Sequence, residues 1–175
     1  MTLYRDGVAL DTIAVTAGTY TFTTEALADS VHTFTAKAND AAGNTSTSGS
    51  NAVTIDTTAP QVVISDDDVT YSNGRVTTTG TAGYATGDPG SVSVVICAAN
   101  SFPCSTNNTD YSGTATVNAT TGDWSNTSSD LRTSLCVPLV GCAPLAGPGQ
   151  IYVQATQTDQ AGNVGISNVV SRDYP

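Results

Sequence analysis

The four cysteines, Cys97, Cys104, Cys136 and Cys142, are spaced as C-x6-C and C-x5-C. Zinc knuckles set their ligands closer together, so this spacing fits a zinc site poorly. Four cysteines, an even number, read instead as two disulfides if the chain is exported. Hydrolytic chemistry has little to draw on, because His32 is the only histidine and Glu25 the only glutamate. Nucleophilic catalysis would also need an oriented Ser or Cys and a third group. His32 therefore reads as a structural residue, and the chain is expected not to be an enzyme. The sequence holds no Gly-rich phosphate loop and no basic-aromatic patch.

Calcium is the one cofactor for which the residues argue. It takes about six to eight oxygens, with several carboxylates converging. The chain carries 15 Asp and Glu against 5 Lys and Arg, a net charge of −10. Most of that acidity reads as solvated surface. It also disfavours nucleic acid and anionic membranes, which bind through Lys and Arg clusters. No apolar run approaches the length of about 18 residues that spans a membrane. The opening Met1-Thr2-Leu3-Tyr4-Arg5 has no charged-then-apolar export pattern. An export signal is therefore expected upstream in a longer polypeptide, or as a C-terminal address.

Strands must position these groups. Thr, Ser, Ala, Val and Gly dominate, Lys and Met occur once each, and no segment shows helical apolar spacing. Thr and Val are stiff at χ1 and suit a pleated sheet, so the chain reads as all-β.

An internal repeat organises the strands. Gly18–Thr24 parallels Gly122–Ser128, with Leu27 or Leu131 following. Phe34–Asn44 parallels Val153–Asn163, Ser50–Val53 parallels Ser167–Val170, and Asp56–Pro60 parallels Asp173–Pro175. Phe34, Ala36 and Ala38 alternate with polar residues, as do Ile151, Val153 and Ala155, which gives each strand one buried face. Asp-x-Ala-Gly-Asn then supplies a turn, so both copies end in a hairpin. At the front the copies differ. The second has strand-like Gln61–Ser65 and Arg75–Thr81 before Ser91–Cys97, whereas the first starts at Leu3–Arg5, which by order matches Val92–Cys97. Two strands, roughly thirty residues, are expected to be missing from a first sandwich that needs about seven.

Tyr20-Thr21-Phe22-Thr23, His32-Thr33-Phe34-Thr35-Ala36, Asp40-Ala41-Ala42-Gly43-Asn44 and Asp56-Thr57-Thr58-Ala59-Pro60 closely resemble the bacterial Ig-like repeats of large secreted adhesins. The resemblance covers nearly all of 1–60 and, more loosely, 61–97, 111–131 and 150–175. It implies tandem Ig-like antiparallel β-sandwiches: a partial domain over 1–59 and a domain over 60–175. It also implies stalks, often with Ca²⁺ at the junctions. In such a sandwich Asp56 ends the first domain, while Asp88 and Asp159 lie at the facing end of the second. These three carboxylates are expected to hold a junction Ca²⁺. Asp66-Asp67-Asp68 is a second candidate, or a plain solvated turn.

Two insertions, about 98–110 and 132–149, have no counterpart in the first copy, and all four Cys lie in or beside them. In an Ig-like sandwich both would emerge at one end, so cross-pairing is open beside the local pairs Cys97–Cys104 and Cys136–Cys142. The apolar run in the second insertion offers Val137, Leu139, Val140 and Leu145 either as an interaction surface or as a cover folded over its own sheet. Trp124 aligns with Tyr20 and reads as a core or edge aromatic.

Three functions compete. The first is a non-catalytic stalk repeat of an extracellular or cell-surface adhesin, whose partners are neighbouring repeats and host or cell-surface ligands. The second is a fibre subunit completed by strands of identical chains. The third is an accessory binding module of a secreted enzyme, which would call for an exposed aromatic strip.

Overall fold

A computed structural model describes residues 1–15, 18–98, 111–131 and 149–174. The chain divides into two compact units, Met1–Thr58 and Ala59–Pro175. Among the described residues every regular element longer than one turn is a strand, and every ladder is antiparallel.

The second unit is a two-layer sandwich. One layer is β6 (Val69–Ser72), β7 (Arg75–Thr81) and β10 (Asp123–Thr127), with β7 in the middle. The other has β8 (Ser91–Ala98) and β11 (Gly149–Thr158) at its centre. On the β8 side it ends at β9 (Tyr111–Thr116). On the β11 side β12 (Val164–Ile166) and β13 (Val170–Tyr174) both pair with β11. Alternation aims Val69, Val76 and Trp124 of the first layer at Val92, Val94, Ile96, Ile151, Val153 and Ala155 of the second. These residues are 0 to 3% exposed and form one apolar cluster. The expected strand over Gln61–Ser65 reduces to a single bridge, Val63 to Thr81. The one-turn 3-10 helix Asp66–Asp68 follows directly, closed by the Ser65 amide on the Asp68 carboxylate at 3.1 Å.

The first unit has one layer. Its sheet runs β2 (Val8–Thr12), β1 (Thr2–Arg5), β3 (Ser30–Asn39), with β4 (Thr45–Thr47) and β5 (Asn51–Ile55) both paired to β3. Each strand has a counterpart. β1 lies against β3 as β8 lies against β11, and Leu3 opposite Ala36 repeats Val94 opposite Ala155. Lys37 opposite Thr47 repeats Thr156 opposite Ile166, and Ser30 opposite Ile55 repeats Gly149 opposite Tyr174. No described strand stands in for β6, β7 or β10. Among the described residues of this unit the only buried apolar one is Ala36, and Val8, Leu10, Val15, Tyr20, Val31 and Val53 are exposed.

The ladders correct one alignment. Sequence similarity pairs Ser50 with Ser167, but Ser48 occupies that place. Its amide donates to Ala36 O at 2.8 Å, its Oγ accepts from the Ala36 amide at 2.9 Å, and it donates to Gly49 O at 2.8 Å. Ser167 makes the same three bonds with Ala155 and Asn168, and Ser128 makes them with Val76 and Ser129. In each case a serine hydroxyl continues a ladder where the strand path leaves the sheet, so no strand amide is orphaned.

Candidate functional site

The Asp-x-Ala-Gly-Asn turns show what the repeated carboxylates do. Asp159 Oδ1 accepts from the Asn163 amide and Oδ2 from Asn163 Nδ2, both at 2.8 Å, and Asp40 holds Asn44 in the same way at 2.8 and 2.7 Å. Gly43 and Gly162 sit at φ 87° and 96°, which the tight turn requires and a side chain would resist. Burial pushes the Asp159 carboxyl up, but hydrogen bonds from Asn163 together with the Gly162 and Ala161 amides outweigh it and leave it below the ordinary value. The Asn44 side chain and amide lower Asp40 in the same way.

The loop carrying Asp88 reaches the same end of the second unit as the Asp159 turn. Gln160 donates its amide to Gly87 O at 3.0 Å, and Gln157 Nε2 donates to Gly83 O and Pro89 O at 2.9 and 2.8 Å. Asp88 Oδ2 accepts from the Ala85 amide at 2.9 Å and so closes its own loop. Asp56 belongs to the first unit, where its Oδ1 accepts from the Thr58 amide at 3.1 Å. Among the described residues no three His, Cys, Asp or Glu side chains are grouped to hold a metal ion.

The Thr-Thr pair after Asp56 binds a partner that sequence reading missed. Asp29 accepts from the Thr57 amide and hydroxyl and from the Thr58 hydroxyl, at 3.0, 2.8 and 2.8 Å, and these bonds lower its pKa. The carboxylate fastens the end of β5 to the start of β3.

His32 has a structural place on the sheet face of the first unit. By ladder position it stands where the second unit has the buried Ile151. Its Nδ1 lies 2.9 Å from Asp6 Oδ2 and its Nε2 lies 3.0 Å from Ala28 O, and the side chain is only 12% exposed. Both neighbours accept hydrogen bonds, so they favour the doubly protonated ring. The bond to Asp6 raises the His32 pKa, and the same bond lowers that of Asp6. Asp6 Oδ1 also accepts from the Thr33 amide at 2.7 Å, which ties the β1–β2 turn to β3.

Cys97 is fully buried on β8 and is disulfide-bonded. Cys104, Cys136 and Cys142, and the apolar surface of Val137, Leu139, Val140 and Leu145, lie outside the described residues. Trp124 is 3% exposed and packs in the core opposite Gly80.

The open face of the first unit is the remaining feature. Leu3, Arg5, Leu10 and Asp11 of the sheet and Phe22–Glu25 of the crossing segment line a cavity of about 290 Å³. Residues 1–57 match the bacterial Ig-like domain family. No curated protein matches the chain. Bacterial Ig-like domains are surface or structural modules and are typically non-catalytic. The all-β, antiparallel organisation of the second unit, with the same five-stranded sheet, agrees with that family. Among the described residues no helix is long and apolar enough to cross a membrane.

Proposed function

We propose that this chain is a structural repeat segment of an extracellular bacterial adhesin or surface stalk, with no catalytic activity of its own. The observation behind this reading is repetition. Two units share a sheet strand for strand, and their carboxylates Asp29, Asp40 and Asp159 hold turns and strand ends. A repeat of this kind presents other modules and contacts its neighbours, while the ligand is bound elsewhere on the assembled protein. The test is accessibility on intact cells that express the gene from its own locus. Antibody against the second unit should label unbroken cells. Labelling only after lysis would contradict the reading.

One observation favours a second reading, a subunit of a self-assembling fibre whose first unit is finished by strand exchange with neighbouring identical chains. Among its described residues the first unit has one sheet layer and a single buried apolar residue, Ala36, too little to hold a domain by burial. Particle mass in dilute solution distinguishes the two. A monodisperse monomer contradicts the fibre, and a growing series of assemblies contradicts a passive stalk.

A further inference from the structure

Polar groups inside the second unit's core collect at one place. Among the described residues four buried side-chain polar atoms have no hydrogen-bond partner in the protein, and Thr78 Oγ1, Trp124 Nε1 and Asn126 Oδ1 are three of them. All three residues stand on the inner face of the β7–β10 pair, Asn126 opposite Thr78 and Trp124 opposite Gly80. They are 0%, 3% and 7% exposed for Thr78, Trp124 and Asn126. Side chains directly opposite in such a pair have Cβ atoms roughly 4.5–5.5 Å apart. A Cβ at Gly80 would stand 3.0 Å from Trp124 Cε2, the ring carbon bonded to Nε1. The indole N–H therefore lies beside Gly80, two residues along the same face from Thr78.

The facing layer fixes which way the Asn126 amide points. Its Nδ2 donates to Thr114 O of β9 at 3.2 Å, so Oδ1 is the atom turned away from that carbonyl. A bridge joins Val117 to Trp124, and past it β9 and β10 run in different layers. Asn126 thus reaches across the seam where the hairpin parts.

We infer that ordered water occupies this seam and bonds Thr78 Oγ1, Trp124 Nε1 and Asn126 Oδ1. The donor set selects the ligand. An indole N–H only donates, an amide oxygen only accepts, and a hydroxyl does both. A cation such as calcium would need several oxygens, and an anion several donors. Water accepts from the indole, donates to the amide oxygen and takes either role with the hydroxyl. It typically makes about three hydrogen bonds of this kind when buried. Leaving buried donors and acceptors unpaired costs more than an ordinary hydrogen bond contributes. A groove of about 930 Å³, lined by Thr114–Thr116 of β9 and Asp123–Ser125 of β10, gives the water a path to solvent. The site belongs to the second unit alone and rests on neither the stalk nor the fibre reading.

Two measurements on the full chain test it. A crystal structure at a resolution that shows ordered water should find water bonded to each of the three atoms. Thr78→Val keeps the shape of the side chain and removes its oxygen. With water in the seam this takes away a hydrogen bond, and the midpoint followed by Trp124 fluorescence should fall by roughly 3–5 °C. In a dry seam the same change would remove an unpaired hydroxyl and raise the midpoint. Thr78→Ser retains the oxygen and should retain the water. A Thr78→Val midpoint equal to or above that of the parent overturns the proposal. So does a crystal structure in which the Thr78 hydroxyl bonds Asn126 Oδ1 directly and the indole N–H meets no water.

Discussion

Replacing Ser167 or Ser128 by Ala should destabilise the second unit measurably, whereas Ser48→Ala should leave its unfolding unchanged. Ser167 is 5% exposed, and its Oγ is the acceptor for the Ala155 amide at 2.9 Å. Ala cannot replace that oxygen, and at Ala155, which is fully buried, no water can reach the orphaned N–H. An unpaired buried donor costs about 1–3 kcal/mol. Ser128 and Val76, both 0% exposed, predict the same cost. For a unit of this size each kcal/mol lowers the midpoint by roughly 3–5 °C. The two serines serve different sheets, so the double variant should show roughly additive losses. Trp124, the only tryptophan, is buried in this unit, and its fluorescence reports this transition alone. Midpoints for Ser167→Ala and Ser128→Ala within about 1 °C of the parent would refute the view that these hydroxyls serve as ladder acceptors.

The pH response of the first unit should follow His32. A pKa raised in the folded state gives stability that is fully present below the unfolded value near 6.5 and is lost as pH rises through the folded value. The Asp6 carboxyl is lowered, so its share is present above its unfolded value of 3.8 and is lost as pH falls. The pair is therefore strongest in mildly acid solution. Proton NMR of the single imidazole should give a midpoint above the ordinary one, and Asp6→Asn should bring it down. An unchanged midpoint in that variant would remove the Asp6 contact. Gly80→Ala places a methyl group against Val63 O and, at 2.7 Å, Trp124 Cζ2. It should cost about 1–3 kcal/mol by overpacking, read from the Trp124 transition. A neutral result would show that the bridge from Val63 to Thr81 yields easily.

The sequence carried some of this well, for identifiable reasons. The Asp-x-Ala-Gly-Asn turns were legible because carboxylate, glycine and amide each have a local task within five residues, and the hydrogen bonds of Asp40 and Asp159 are those tasks. The five-stranded sheets were legible from the alternation at Phe34, Ala36, Ala38 and at Ile151, Val153, Ala155. Two turns went unread although their signals are short-range. Asp6-Gly7 and Asn73-Gly74 both take positive φ and close the β1–β2 and β6–β7 hairpins. The serine bridges were not legible, because a chain so rich in Ser and Thr does not mark which hydroxyl replaces a ladder bond. That is also why the last strands were matched two residues out of register. Phe22–Glu25 has the alternating burial of a strand, but strand pairing is non-local, and alternation alone does not say which strand a segment joins. Asp29 shows the same limit, since its tie to Thr57 and Thr58 spans 28 and 29 positions.

Hydrogen exchange on the full chain, resolved by segment, tests most directly whether one unit is a closed sandwich and the other an open sheet. Amides of β7, β8 and β11 should exchange only on global unfolding of the second unit, because they lie at the centres of two facing layers. Those of Tyr20–Leu27 should exchange almost as fast as in an unfolded chain, with β3 in between. Equal, strong protection of Tyr20–Leu27 and β11 in a monomer would contradict this, because it would mean that the first unit closes its own core.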